Sequence, residues 1–116
     1  MKHSDEFGEV KIEFVDRYMS IIVAINCEDF DGFPDAQVKS IKSKDSLKGL
    51  SSILEKIQVL DSSCLIDVRA KILYYLNNKV LDTICLDGTN NILFNGKCVK
   101  NHTDIYEKLK VYIWNN

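Results

Sequence analysis

Residues 65–86, LIDVRAKILYYLNNKVLDTICL, form the stretch of this sequence that decides the fold. Two apolar runs flank the pair Asn77-Asn78, and both are rich in β-branched and aromatic residues. Such runs are typical of strands, and asparagine suits the positive φ angles that a two-residue turn requires. We therefore predict a long β-hairpin with strands over 65–76 and 79–86.

The turn also predicts which side chains share a face of this hairpin. If Leu76 pairs with Lys79, one face carries the pairs Tyr74 with Leu81, Ile72 with Thr83, and Ala70 with Cys85. The other face then carries Arg69, Lys71, Leu73, Tyr75, Val80, Asp82, Ile84 and Leu86. A slip of one residue exchanges the faces, because side chains alternate along a strand.

Downstream, a turn at 87–90 leads into NILFNGKCVK, which predicts a second hairpin centred on Asn95-Gly96. Asn-Gly is a strong hairpin signal, because both central residues of a type I′ turn need positive φ. This register sets Cys98 opposite Leu93. A terminal helix follows, with an apolar stripe of Ile105, Leu109, Tyr112 and Ile113 and with Asn101 and Asp104 as its capping pair.

Three further segments upstream are interpreted as strands. EVKIEFV (9–15) alternates apolar and polar residues, as a half-buried strand does. MSIIVAIN (19–26) is apolar on both faces and predicts a central strand that forms an antiparallel hairpin with 9–15. AQVKSIKS (36–43) is interpreted as a third strand, with a helix opened by Pro34-Asp35 as the alternative.

An amphipathic helix is predicted from about residue 46 to residue 59. Its apolar stripe is Leu47, Leu50, Leu54 and Ile57, at the three- and four-residue spacings of one helix face. Ser43 or Asp45 is the expected N-cap. Gly49 costs this helix about 1 kcal/mol relative to alanine, so we expect a neighbour to pack closely against it.

The predicted order is therefore β-β-β-α-β-β-β-β-α in a single domain over 1–116. Consecutive strands joined by tight turns pair antiparallel, and two amphipathic helices need a sheet face to cover. The expected fold is α+β: an antiparallel sheet of about six to seven strands with two helices packed on one face.

Composition narrows the classes of function. The formal net charge of -2 argues against a dedicated nucleic-acid binder, and no apolar run is long enough to span a bilayer. The first ten residues, MKHSDEFGEV, lack the apolar core of a signal peptide. We expect a cytoplasmic protein if Met1 is the native start, and a cell-envelope or secreted one if a leader was removed.

The four cysteines, Cys27, Cys64, Cys85 and Cys98, contain no C-x-x-C pair, so neither a zinc pair nor a thioredoxin-like motif is present. Most of them lie in or beside apolar runs, where a free cysteine behaves as a small apolar residue. Buried free thiols are therefore our prediction, and two disulfides are the alternative.

Cys98 and His102 are the nearest approach to a catalytic pair, as a thiol with a base four residues away. No third residue is available to orient the histidine, and hairpin pairing and helix capping account for both positions. We predict that this pair is structural.

Two charged clusters are candidate binding sites. Glu28, Asp29, Asp31 and Asp35 could hold a calcium ion, but their spacing departs from a calcium-binding loop, which favours a solvated acidic loop. Lys39, Lys42, Lys44 and Lys48 form a basic patch without interleaved aromatics, which favours a solvated strand–helix junction. We predict no catalytic, cofactor-binding or metal site.

One surface of the long hairpin is the remaining candidate. Its residues are Arg69, Lys71, Leu73, Tyr75, Val80, Asp82 and Ile84. A face this apolar is expected to be covered by the chain itself, by a second copy of the chain, or by a different protein. We predict a non-enzymatic domain that acts through protein–protein contacts; the alternatives are a bacterial immunity-type inhibitor and a thiol- or metal-dependent enzyme.

Residues 36–114 also carry a resemblance. The run DVRAKILYYLNNKVLDTICLDGTNNILFNGKCVKN, preceded by IKSKDSLKGLSSILEKI and followed by a short helix, resembles small domains of Bacteroides-type gut bacteria, cytoplasmic or associated with lipoproteins. In those domains a strand leads into a helix, a meander with an Asn/Gly turn, and a closing helix. The resemblance implies the same fold and supplies no activity.

Overall fold

The computed structural model describes residues 8–20 and 24–114. Within them, six strands form one sheet and two helices complete the fold. The strands are β1 (Glu9–Phe14), β2 (Gln37–Ile41), β3 (Val68–Leu76), β4 (Lys79–Asp87), β5 (Ile92–Phe94) and β6 (Lys97–Cys98), and the helices are α1 (Lys44–Glu55) and α2 (His102–Ile113). The sheet order is β2-β1-β3-β4-β5-β6, with every neighbouring pair antiparallel. The predicted α+β fold is confirmed.

Both helices pack on one face of the sheet, here called the helix face. The strands supply Val10, Ile12, Ala70, Ile72, Tyr74, Ile84, Leu86 and Ile92 to this core, and the helices supply Leu47, Leu50, Ile53, Leu54, Ile105, Leu109 and Ile113. The hydroxyl of the fully buried Tyr74 donates a hydrogen bond to the carbonyl oxygen of Leu50 (3.1 Å). A buried hydroxyl needs such a partner, so this bond helps to position α1 over β3.

The two helices approach each other closely at Gly49. A Cβ atom at this position would overlap the hydroxyl of Tyr112 on α2. The predicted close contact is confirmed: only glycine leaves room for the tyrosine without a shift. Ser43 is the N-cap of α1, one of the two residues predicted, and its hydroxyl accepts a hydrogen bond from the amide of Ser46 (3.3 Å).

Helix α1 ends at Glu55, so its predicted end near residue 59 is wrong. The side chain of Asn101 donates to the carbonyl oxygen of Lys56 (2.9 Å) and accepts from the amide of Gln58 (3.0 Å). Asn101 is the N-cap residue of α2 but makes no side-chain cap bond to that helix. The prediction that the Asn101 side chain caps α2 is therefore wrong. Its hydrogen bonds cap the end of α1 instead.

The β3–β4 hairpin has the predicted turn but not the predicted register. Asn77 and Asn78 have φ angles of 52° and 67°, and Leu76 pairs with Lys79 as expected. Beyond Tyr75 and Val80 the register shifts, and Tyr74 pairs with Asp82. Leu81 is thus an extra residue in β4, and a bulge of this kind exchanges the faces of the residues beyond it.

The β5–β6 hairpin forms as predicted. Asn95 and Gly96 occupy its turn with φ angles of 49° and 83°, and Leu93 pairs with Cys98. The side chain of Asn95 also accepts a hydrogen bond from the amide of Thr83 (2.8 Å), which ties the turn to β4.

The predicted hairpin between 9–15 and 19–26 is wrong. Strand β1 has β2 on one side and β3 on the other, which leaves no edge for a further strand. Residues 21–23 lie outside the described residues, and 19–20 and 24–26 belong to no strand. Met19 and Ile25 instead pack against an apolar cluster on the face of the sheet opposite the helices, which accounts for the apolar character of these two residues. The segment 36–43 does form a strand, β2.

The second face of the sheet, opposite the helices, is partly covered by the chain between β1 and β2. The buried members of its cluster are Val15, Phe30, Val68, Cys85 and Leu93, and the packed neighbours include Met19, Ile25, Cys27 and Phe33. A disulfide between Cys27 and Cys85 joins this covering segment to β4. An α+β domain with helices on one face thus protects much of the other face with an irregular segment.

Candidate functional site

The partner surface predicted on the long hairpin is not one face of the sheet. Ile84 is fully buried under the helices, and Asp82, which pairs with Tyr74, accepts a hydrogen bond from the side chain of Asn95 (3.0 Å). Both were predicted on the face of Leu73. The bulge at Leu81 is the physical reason, because it moves every β4 residue that follows it to the other face.

Arg69 is an interior anchor rather than a surface charge. Its side chain is only 8% exposed and makes two hydrogen bonds to the carboxylate of Asp67, at 2.7 and 2.8 Å. Its Nε donates to the carbonyl oxygen of Met19 (3.1 Å). The hydrogen bond from Arg69 is the main cause of a lowered pKa at Asp67. This pair ties the start of β3 to the covering segment.

Lys71 is similarly enclosed and holds the acidic loop. Its Nζ donates to the carbonyl oxygen of Cys27 (3.0 Å) and forms an ion pair with Asp31 (2.9 Å). Glu13 lies opposite Lys71 in the sheet, and burial, followed by the negative charge of Asp31, raises the pKa of its carboxyl group. Asp31 therefore has a structural role in the predicted acidic cluster.

The remaining loop carboxylates, Glu28, Asp29 and Asp35, are exposed. Within 8–20 and 24–114, no three histidine, cysteine, aspartate or glutamate side chains form a group that could hold a metal ion.

Leu73 is also buried, at 9% exposure, so the accessible remainder of the predicted surface lies at the turn end of the hairpin. There Tyr75 is half-buried with the ammonium of Lys11 over its ring (5.2 Å to the centroid), and Val80 is 45% exposed. Of the predicted surface, the covering segment holds Arg69 and Lys71, and the helices cover Ile84.

The basic patch is partly structural as well. The ammonium of Lys39 donates to the last carbonyl oxygens of α2, those of Tyr112 (2.9 Å) and Ile113 (3.0 Å). A cation is stabilised there by the negative end of the helix dipole. Lys42, Lys44 and Lys48 are exposed.

A small polar cleft of about 250 Å³ lies where the covering segment meets the loop after β4. Arg17 lies in its wall, donating to the carbonyl oxygens of Gly88 and Thr89 (both 3.1 Å) and stacking near the rings of Tyr106 and Trp114. Through these hydrogen bonds Arg17 holds the loop after β4 in place.

All four cysteines are paired, so the prediction of free thiols is wrong. Cys64 bonds to Cys98, and Cys27 bonds to Cys85. The partners are far apart in sequence and are brought together only by the packing of loops on the sheet. A Cys98 nucleophile with His102 as its base is therefore excluded in the oxidised protein, since the sulfur carries no thiol.

The Cys64–Cys98 disulfide fastens a segment that we call the anchored loop, residues 58–66. Val59 forms a bridge with Val99, and the backbone of Leu60 and of Ser62 each makes a 2.8 Å hydrogen bond to Cys98. The anchored loop thereby covers the outer edge of the short strand β6. An edge strand protected in this way offers no free backbone for pairing.

A groove of about 380 Å³ opens beside this disulfide. Its apolar lining residues are Leu60, Leu65, Ile66, Ile92 and Val99, together with the two cysteines, and Asn91 and His102 complete it. The Nδ1 atom of His102 lies 2.9 Å from the carbonyl oxygen of Asn90, which orients the ring. Cys98 and His102 thus line the same groove, but they do not form a catalytic pair.

Leu65 stands out in this region. At 99% exposure it is the most exposed large apolar side chain among the described residues, and Val59 and Leu60 beside it are 48% and 43% exposed. The sequence predicts a strand that begins at Leu65, but β3 begins at Val68, so Leu65 precedes the sheet. The signal that could have found it is the order Cys64-Leu65-Ile66, in which apolar residues follow a potential disulfide anchor.

No protein-family model matches the chain, and neither a curated protein nor a solved structure matches it. The resemblance to Bacteroides-type domains accordingly stays a prediction. Neither helix in the described part of the chain is long and apolar enough to cross a bilayer.

Proposed function

We propose that this protein is a non-enzymatic binding domain that recognises a partner protein through the anchored loop. The observation that carries the proposal is the complete exposure of Leu65 in a segment tied to the sheet by a disulfide. Single exposed leucines are common on protein surfaces. Here the leucine lies at an apolar groove, close to Val59 and Leu60. The Cys64–Cys98 disulfide restrains the segment that carries it.

The energetics favour a binding role for such a side chain. Burial of a leucine in a partner's pocket is worth about 1.5–3 kcal/mol. The ordering cost that usually opposes binding is reduced, because the disulfide and the backbone hydrogen bonds to Cys98 have already been formed on folding. Val80, at the end of the long hairpin, is less exposed, at 45%.

The two disulfides support a site of action in an oxidising compartment. Disulfides persist in secreted and envelope proteins and are rare in the reducing cytosol. Of the two locations predicted from the sequence, we therefore propose the exported one.

The test compares two charge substitutions at exposed apolar positions. Oxidised wild-type protein, Leu65→Asp and Val80→Asp are each immobilised and exposed to the secreted and envelope proteins of the source organism. We expect one partner to be retained by wild type and by Val80→Asp and to be lost with Leu65→Asp. Because both side chains are exposed, each variant should keep the wild-type unfolding midpoint, which circular dichroism checks.

Retention by Leu65→Asp together with loss by Val80→Asp would assign binding to the hairpin end and overturn the proposal. Equal retention by all three proteins, or by none, would overturn it as well.

A further inference from the structure

We propose that the anchored loop is an inhibitory loop for a serine endopeptidase with an apolar specificity pocket, and that Leu65 fills this pocket. The inference rests on the proposed function and names the class of partner. It follows from three properties of residues 63–66: their unpaired backbone, their anchors on both sides, and the fully exposed side chain of Leu65.

The backbone of this segment is available to pair with a partner. Residues 63–67 run without a turn or bend. The backbone groups of residues 63–66 make no hydrogen bond to any residue that the structure describes. A peptide with unpaired N–H and C=O groups can be bound as a strand in a partner's cleft.

Anchors lie on both sides of Leu65. The residue before it, Cys64, is bonded to the buried Cys98. Two residues after it, the carboxylate of Asp67 accepts two hydrogen bonds from the buried Arg69 and a third from the amide of Ile25 (3.0 Å). The exposed stretch is thus short and supported at each end, so little conformational entropy is lost when a cleft closes around it.

Helix-in-groove, polyproline and carboxyl-terminal modes of peptide recognition do not fit this segment. It is not helical, it lacks the prolines that SH3-type grooves need, and it is internal to the chain rather than a free carboxyl terminus. An endopeptidase cleft accepts an internal extended peptide and reads one side chain in its primary pocket. A leucine selects an apolar pocket over one that carries a carboxylate.

The anchors also explain why this loop would inhibit such a protease and would not be turned over as a substrate. Attack of the protease serine oxygen on the Leu65 carbonyl carbon breaks the Leu65–Ile66 bond, and the serine proton passes through the protease histidine to the Ile66 amine. Both products remain tethered, one by the Cys64–Cys98 disulfide and the other by the Asp67–Arg69 pair. The amine therefore stays beside the acyl-enzyme and can re-form the peptide bond, which returns the proton and the serine.

The test exchanges the specificity of the loop. Oxidised wild-type protein should inhibit chymotrypsin and subtilisin, which accept large apolar side chains, and should leave trypsin unaffected, in assays with short chromogenic peptides. Leu65→Arg should weaken inhibition of chymotrypsin by about 100-fold, as expected for a central contact residue, and should create inhibition of trypsin. A gain of inhibition cannot come from a folding defect. Val80→Arg is the matched control and should behave as wild type.

The disulfide provides a second readout. The Cys64→Ala/Cys98→Ala variant should be cut after Leu65 by chymotrypsin, because the new carboxyl end at Leu65 is no longer held beside Cys98, and mass spectrometry detects the cut. Absence of inhibition of both apolar-pocket enzymes, rapid cleavage of the oxidised wild type, or no inhibition of trypsin by Leu65→Arg would each overturn the inference. A partner captured through Leu65 that is not a protease would overturn it too while leaving the proposed function standing.

Discussion

At the scale of single residues, the cluster of Glu13, Asp31 and Lys71 sets how the fold responds to pH. Burial and the Asp31 charge raise the pKa of Glu13 above 4.5, so the folded state binds this proton more tightly than the unfolded chain does. Its contribution to stability is therefore present at low pH and is lost as the pH rises through the folded pKa. We expect Glu13→Gln to raise the thermal midpoint at pH 7, since it removes a poorly solvated charge.

Thermal melts between pH 4 and 8 check this prediction. The gain from Glu13→Gln should shrink as the pH falls towards 4.5, where the wild-type carboxyl group becomes protonated in both states. Glu55→Gln, at an exposed position of α1, is the matched control and should change the midpoint little at any pH. A gain for Glu13→Gln that is independent of pH would contradict the argument.

At the scale of elements, the crossing of α1 and α2 depends on the missing side chain at Gly49. Alanine there should favour the helix by about 1 kcal/mol. Its methyl group would, however, overlap the Tyr112 hydroxyl, so part or all of this gain is lost in the wild-type background. We expect Gly49→Ala to be more stabilising in a Tyr112→Phe background than in the wild-type background, by up to about 1 kcal/mol.

Urea unfolding of the four proteins in this double-mutant cycle measures the coupling. A Gly49→Ala effect that is equal in the two backgrounds would show that the tyrosine moves aside freely. A control cycle with Ser52→Ala, at an exposed position of α1, should give no coupling to Tyr112→Phe.

At the scale of the whole molecule, the two disulfides join loops to the sheet but differ in access. Cys64 is exposed, whereas Cys85 is fully buried and Cys27 half-buried. Because exchange requires a thiolate to reach a sulfur, we expect a mild reductant to open Cys64–Cys98 before Cys27–Cys85. Alkylation followed by peptide mass mapping follows the order. The reverse order, or simultaneous opening, would contradict this account of the loops.

Loss of the Cys64–Cys98 bond should also lower stability without abolishing the fold. The bond spans 34 residues, and constraint of the unfolded chain predicts about 4 kcal/mol or less for it. We expect Cys64→Ala/Cys98→Ala to retain the wild-type circular dichroism spectrum, with an earlier midpoint in guanidinium. An unchanged midpoint would indicate that the anchored loop is held by its hydrogen bonds alone.

The features that sequence reasoning predicted are local ones. The turns at Asn77-Asn78 and Asn95-Gly96, the Ser43 cap and the amphipathic helices depend on residues within a few positions of one another. Apolar periodicity then suffices to place two helices on an antiparallel sheet. The candidate site was not predictable in this way: Cys98 and His102 were singled out, but Leu65 was not.

The sequence by itself determined the fold class, both tight turns and the close contact at Gly49, because backbone preferences and periodicity act over short distances along the chain. Only the tertiary structure decided the register beyond the bulge at Leu81, the covering of the second face, and the pairing of the cysteines. Each of these depends on which distant segments pack together, and no local preference encodes that choice. The exposure of Leu65 follows from the same contacts, since a side chain's environment is a property of the whole packed chain.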